Sequence, residues 1–133
     1  MTNNKIYLVA NWKMYGNTYS IDTLKNVIKL AKLSKYNKAK IVYCPPFTLL
    51  DQFHRNLSKT KISVGAQDCY IHDHYGPYTG NISATQIKQL GATYVILGHS
   101  EKRFDGDDNK LINLKIKNAI KNKLKVILCI GEK

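Results

Sequence analysis

Apolar positions along this chain fall into two alternating patterns. Five short runs are almost unbroken: "KIYLVAN" (Lys5–Asn11), "AKIVYCPP" (Ala39–Pro46), "KISVGAQ" (Lys61–Gln67), "TYVILG" (Thr93–Gly98) and "LKVILCIGE" (Leu124–Glu132). Their length and their β-branched and aromatic content predict strands. Between them the apolar residues recur at helical spacing. "NTYSIDTLKNVIKLAKL" places Ile21, Leu24, Val27, Ile28 and Leu30 on one side, with Asn17, Thr18 or Ser20 as its cap. "FTLLDQFHRNLS" predicts a second helix capped by Thr48, and "SATQIKQLG" a short third with a serine cap and a glycine stop. "DDNKLINLKIKNAIKNK" predicts a long fourth helix whose apolar side is Leu111, Ile112, Leu114, Ile116, Ala119 and Ile120. Only the glycine-rich stretch from Asp68 to Asn81 reads as a long polar loop.

The resulting order, β-α-β-α-β-α-β-α-β, predicts a parallel sheet with right-handed crossovers in a single α/β domain over residues 1–133. Near-continuously apolar strands are those covered on both faces. Folds of this kind place their chemistry at the carboxyl ends of the strands. Here those ends carry Asn11-Trp12-Lys13, Cys44-Pro45-Pro46, Gln67, His99-Ser100-Glu101 and Gly131-Glu132, so every polar candidate lies on one rim.

Composition adds limits. No apolar run approaches the roughly 18 residues of a membrane span, and the amino terminus lacks the pattern of a secretory signal. The three cysteines, Cys44, Cys69 and Cys129, are odd in number and scattered, which predicts free thiols in a reducing compartment rather than a disulfide framework or a metal site. The net charge of +12 is nearly all lysine. It reads as spread over helices, alongside abundant Asn, Ile and Tyr, as an AT-rich coding bias would produce. The expectation is therefore no nucleic-acid partner and no membrane, with anion steering still open to the surface.

Asn11 and Lys13 lie two apart at the end of an extended segment and so share a side. Together they suit an anionic or carbonyl-bearing ligand; a turn asparagine beside a surface lysine is the alternative. His99 opens a helical turn, where backbone amides disfavour a cation on the ring and leave it able to donate to a carbonyl oxygen. A structural histidine is equally compatible with the local pattern. Glu101 either pairs with its neighbours Lys102 and Arg103 or reaches Lys13 across the rim. No glycine-rich phosphate fingerprint of Walker or dinucleotide type occurs.

Four segments then point to a family. "ANWKMYG", "GPYTGNIS", "VILGHSEKR" and "VILCIGE" resemble, in order and at compatible spacing, four signatures of triosephosphate isomerase. The resemblance implies four βα units and a fifth strand of the (β/α)₈ barrel, its N-terminal half. It implies interconversion of dihydroxyacetone phosphate and D-glyceraldehyde 3-phosphate in cytoplasmic glycolysis and gluconeogenesis, with no metal and no cofactor. By the same resemblance Lys13 binds the phosphate end and offsets developing charge, and Asn11 holds the substrate and helps orient Lys13. His99 polarises the carbonyl as a neutral electrophile, with Glu101 behind it in contact with Lys13. Thr79 inserts into a partner subunit, with Gln67 at the same interface, giving a homo-oligomer.

The sequence departs from the family at Lys102, where arginine is usual, at Asn81 (glutamate), at Asp68 (asparagine) and at Pro77 (a small residue). The family's catalytic base, lid and later phosphate loops find no match within the 133 residues. Three expectations follow: a complementing C-terminal half, an inactive remnant, or a basic half-barrel kept as a binding module. Strands carrying Ile41, Val95, Leu97 and Ile127 are also expected to leave apolar surface open to water.

Overall fold

A computed structural model describes residues 5–131. The strands are β1 (Ile6–Asn11), β2 (Ala39–Cys44), β3 (Ser63–Ala66), β4 (Tyr94–Leu97) and β5 (Lys125–Leu128), and the helices α1 (Leu24–Ala31), α2 (Phe47–Leu57), α3 (Ala84–Gln89), α4 (Ser100–Phe104) and α5 (Asn109–Lys121). The strands form one parallel sheet in the order β1-β2-β3-β4-β5. Each neighbour in sequence is a neighbour in space, so every strand's carboxyl end reaches the same rim. The sheet curls: Tyr7 of β1 meets Tyr94 of β4 edge to face, with ring centroids 6.3 Å apart.

The caps follow local rules. Asn17 closes a capping box at a 3-10 turn over Thr18–Thr23 that leads into α1, and Ser83 does the same for α3. Asp108 caps α5 by accepting from the Leu111 amide. Thr48 does not cap α2. That helix starts two residues earlier, at Phe47 with Pro46 at the cap position, because the proline's extended backbone already turns the chain without a side-chain acceptor.

Two apolar layers sit on opposite faces of the sheet. On the convex face Leu50, Phe53, Leu57, Ile87, Val95 and Leu97 pack under the helices, each almost fully buried. On the concave face Val42, Cys44, Tyr94 and Ile96 form a second cluster, with Ile127 against it. Val95 and Leu97 are therefore not open to water, and the concave residues of the central strands are covered by the curl itself. Exposure is instead a property of the edges. β4 is buried along its whole length, whereas Ile6, Tyr7 and Leu8 of β1 are each more than half exposed. An edge strand lacks a neighbour on one side, so double cover holds only at the centre. In α5, Leu114 and Ile120 face solvent and the buried stripe is Ile112, Lys115 and Ala119.

The thiols are free, with Cys44 and Cys69 buried and Cys129 half-buried. Burial pushes the Cys44 and Cys69 thiols up to about 12. A disulfide reagent at pH 8 should therefore modify Cys129 alone in the native chain, and all three cysteines in denaturant. Equal native rates at the three sulfurs would mean that the two layers are not closed.

Candidate functional site

The rim is built around a lysine in a costly backbone conformation. Lys13 has φ +51°, the left-handed region that a residue with a side chain enters at about 1–3 kcal/mol. Its peptide groups are held on both sides. The Lys13 N–H donates to Asn11 Oδ1 at 2.9 Å. The Gln67 amide donates from Nε2 to the Lys13 carbonyl and to the Cys44 carbonyl, each at 2.8 Å. One side chain from the end of β3 thus fixes the ends of β1 and β2 together. Trp12, on the opposite side of the chain, stands edge-on against Phe53 with ring centroids 5.0 Å apart, which anchors the turn to the core.

The second half of the site leaves β4. The strand stops at Gly98, which has φ +74° and whose missing Cβ would lie 2.7 Å from the Cys129 carbonyl oxygen, so only glycine fits. His99 follows as the N-cap of α4. Its Nδ1 accepts from the Glu101 N–H at 3.3 Å. A ring nitrogen that accepts carries no proton, so the neutral ring holds its proton on Nε2 as a donor. For the same reason the 3.5 Å approach of Glu101 Oε2 to Nδ1 is proximity and not an ion pair. Arg103, which sequence reasoning treated only as a neighbouring charge, clamps this turn. Its guanidinium donates to the carbonyls of Gly98 (2.8 Å) and Cys129 (3.2 Å) and to Asn109 (2.8 Å).

The halves meet where Lys13 Nζ donates to Glu101 Oε1 at 2.8 Å. Of the two partners open to Glu101, the structure selects the distant one; Lys102 pairs with Asp105 at 3.4 Å instead. The Lys13 hydrogen bond, then its charge, hold the Glu101 carboxyl below the usual carboxylate range. The same contact raises the Lys13 ammonium. Both groups are half exposed, so the pair orients Lys13 more than it stabilises the fold. Asn11, Lys13, Gln67, His99 and Glu101 line one cleft of about 200 Å³, with Phe47, Asp68 and Lys102 completing its wall. Thr79 lies elsewhere, exposed on the loop after β3, whose fold is braced by His72 stacked on Tyr78 at 4.4 Å.

Behind the cleft sits a group that sequence reasoning placed on no site. Lys115 of α5 is buried, and its Nζ reaches both oxygens of Asp68 at 3.0 Å and Asp107 Oδ2 at 2.6 Å. A lysine three residues after Ile112 and four before Ala119, on the apolar side of its own helix, was the available signal. Burial raises the Asp68 carboxyl, aided by the Asp107 charge and opposed by Lys115. Burial lowers the Lys115 ammonium, but hydrogen bonds and charge from the two aspartates outweigh this and leave it raised. Among the described residues no group of three or more His, Cys, Asp or Glu side chains is placed to hold a metal, and no helix is long and apolar enough to cross a membrane.

Two outcomes follow from these charges. A carboxyl whose folded pKa is raised disfavours its charged form in the native state, and that penalty is present at neutral pH. Asp68→Asn should therefore leave thermal stability at pH 7 unchanged or higher. Lys115→Met strands two buried carboxylates and should cost about 3–5 kcal/mol by urea unfolding. Equal losses in the two variants would contradict the assignment. In Glu101→Gln, the Lys13 ammonium, followed by its Nζ resonance, should titrate nearer the ordinary lysine value. An unchanged titration would mean that the contact does not form in solution.

Comparisons with known proteins converge with this geometry. The family model for triosephosphate isomerase matches residues 6–133. A triosephosphate isomerase of Dictyoglomus thermophilum is 43% identical over 95% of this chain and 50% of its own length. One of Alkaliphilus oremlandii is 40% identical over 96% of this chain and 51% of its own length. The crystal structure of triosephosphate isomerase from Bartonella henselae superposes with a TM-score of 0.86 at 33% identity, covering 97% of this chain and 52% of that one. The chain spans about half the length of the curated relatives it matches. With five strands in the right order and the rim motifs in register, the chain belongs to the triosephosphate isomerase family.

Proposed function

We propose that this chain forms the phosphate- and carbonyl-facing half of a site that interconverts dihydroxyacetone phosphate and D-glyceraldehyde 3-phosphate. The observation that carries the reading is the Lys13–Glu101 contact, made across 88 residues of sequence beside the His99 ring. Lys13 supplies a fixed positive charge to a phosphate and to negative charge developing on oxygen. Asn11, which shapes the Lys13 turn, lines the same cleft. The His99 Nε2–H donates to a carbonyl oxygen that gains charge as an enediolate forms, which is where a preformed donor has most effect. No metal or cofactor enters this scheme.

Proton abstraction needs a free base. The two carboxylates lining the cleft, Asp68 and Glu101, are each held by a lysine. Among the described residues the cleft therefore offers no free carboxylate, and by the family resemblance the base is assigned to a later segment, in the same polypeptide or in a complementing second one. The partners proposed are a triose phosphate and, by family, a second copy of the chain. Thr79 on the exposed loop and Gln67 at the rim lie at that interface. Cytoplasmic glycolysis and gluconeogenesis form the setting.

The purified 133-residue chain should show no turnover above background in a coupled assay, identical to a Lys13→Ala control. Dihydroxyacetone phosphate should nonetheless shift the His99 ring resonances, and Lys13→Ala should abolish the shift. Turnover lost in the control would place the base within the chain. An unmoved His99 signal would reject the proposed substrate.

A further inference from the structure

The proposed triose phosphate is an anion, yet the cleft that would take it holds a carboxylate whose cation is shared. Glu101, one of the two carboxylates in the cleft wall, belongs to Lys13 at 2.8 Å, and its carboxyl is held below the usual range. Lys102, also in the wall, turns to Asp105 at 3.4 Å. The Nδ1 of His99 accepts from the Glu101 amide, which leaves that ring neutral. Asp68 is left with Lys115 of α5, whose Nζ stands 3.0 Å from both of its oxygens. An ammonium has three N–H donors. Here two go to Asp68 and the third, at 2.6 Å, to Asp107. Two carboxylates on one ammonium leave the cluster with a net charge of one negative.

Water does little to screen that charge. The side chains of Lys115, Asp107 and Asp68 are 6%, 12% and 22% exposed, so the partners of Asp68 are buried while its own carboxyl reaches the cleft wall. The adjacent Cys69 is a buried thiol pushed up to about 12, and it adds no charge at neutral pH. The loop after β3 brings the Tyr70 phenol and the Asn81 amide to the cavity behind Asp68. Burial, aided by the Asp107 charge, raises the Asp68 carboxyl, and Lys115 opposes this without cancelling it. An anion in the cleft adds a second negative charge in front of Asp68 and pushes the same carboxyl higher. No open edge of the sheet enters this argument. The cluster lies between the end of β3, the turn after α4 and α5, and further cover over the rim would only withdraw Asp68 more completely from water.

We infer that Asp68 links anion binding in this cleft to proton uptake: the ligand enters together with a proton, which passes from solvent to one Asp68 oxygen. The other oxygen stays on Lys115, and the cluster becomes neutral as the ligand's charge arrives. Asparagine, usual at this position in the family, has no such step. The sign of the linkage follows. At pH values where the free cleft already holds Asp68 protonated, binding takes up nothing. As pH rises past that point, binding must bring the proton in, and affinity falls. At higher pH still, Asp68 stays charged with and without ligand, and affinity levels off at its lower value. A unit charge about 10 Å from the ligand, at an effective dielectric of about 20, changes affinity on the order of 10-fold. The inference rests on the reading of the cleft as a triose phosphate site and adds the residue that sets the electrostatic penalty of filling it.

The experiment titrates the full chain and its Asp68→Asn variant with dihydroxyacetone phosphate and, separately, with inorganic phosphate, from about pH 5 to about pH 8.5. The His99 ring resonances report binding, and calorimetry in two buffers of different ionisation enthalpy counts the protons taken up. The two proteins should agree within about 3-fold at the acid end. As pH rises the parent should lose on the order of 10-fold in affinity relative to the variant and should take up protons that the variant does not. Ionisation of the ligand itself is common to both proteins and cancels in the comparison. Asp107→Asn, which keeps the carboxylate in the cleft wall, should retain the pH dependence with its midpoint moved to lower pH, because a charge that raises Asp68 is gone. A reading that needs no variant is the Asp68 carboxyl carbon resonance, whose midpoint should rise when phosphate saturates the cleft. Identical pH profiles in the parent and Asp68→Asn would overturn the inference, as would a carboxyl midpoint that phosphate leaves in place. Proton-linked binding of phosphate without binding of dihydroxyacetone phosphate would uphold the linkage and reject the substrate. Failure of both proteins to bind either anion would overturn both.

Discussion

The buried ammonium of Lys115 holds the rim in place. A lysine withdrawn from water is stable only where fixed partners replace its hydration, and here those partners are Asp68 at the end of β3 and Asp107 after α4. Securing Asp68 also secures its neighbour Gln67, whose amide grips the carbonyls of Lys13 and Cys44. That grip keeps Lys13 in its left-handed conformation, from which Nζ reaches Glu101 beside His99. The polar sequence from α5 to the imidazole is continuous. Each link is a hydrogen bond or a peptide bond, and only its last members are exposed. Rigidity therefore comes from the buried end, and the solvent-facing Lys13–Glu101 pair inherits it.

Asp68 illustrates how a departure from a family pattern acts through physics. Where asparagine is usual, an aspartate adds charge to a site that already holds Asp107. One ammonium then faces two carboxylates, and the Asp68 carboxyl is raised, chiefly by its burial, with the Asp107 charge adding to it. The two aspartates together hold Lys115 charged against the cost of its burial. Asn81 and Lys102 depart from the family together. They line a cavity of about 340 Å³ beside the cleft, while Lys102 turns to Asp105.

The five strands and four of the helices were legible because apolar periodicity reports burial directly, and the carboxyl-end rule then placed Asn11, Lys13, His99 and Glu101 on one rim. Three features were misread or left open. Thr48 looked like a cap because capping rules rank side chains, while the two prolines before it had already set the backbone. Leu114 and Ile120 look apolar in sequence, but whether they are covered depends on neighbours the helix cannot specify. The partner of Glu101 lay 88 residues away, so adjacent cations were an equally good reading until the strands were laid side by side.

Two non-glycine residues take positive φ among the described residues, Lys13 and Lys123, and they stand at opposite ends of the parallel strands. At Lys13 the strain is held by three side-chain-mediated bonds and directs an ammonium into a cleft. At Lys123 only the backbone bonds of the helix end hold it, and the side chain is exposed. A glycine there would relieve the strain at no loss of packing. Local preference is thus overridden in both places in favour of a positive charge at the mouth of the fold. At one mouth carboxylates temper that charge, and at the other the described carboxylates leave it unpaired. The parallel sheet makes this polarity possible, because it sends every strand start to one end and every strand end to the other.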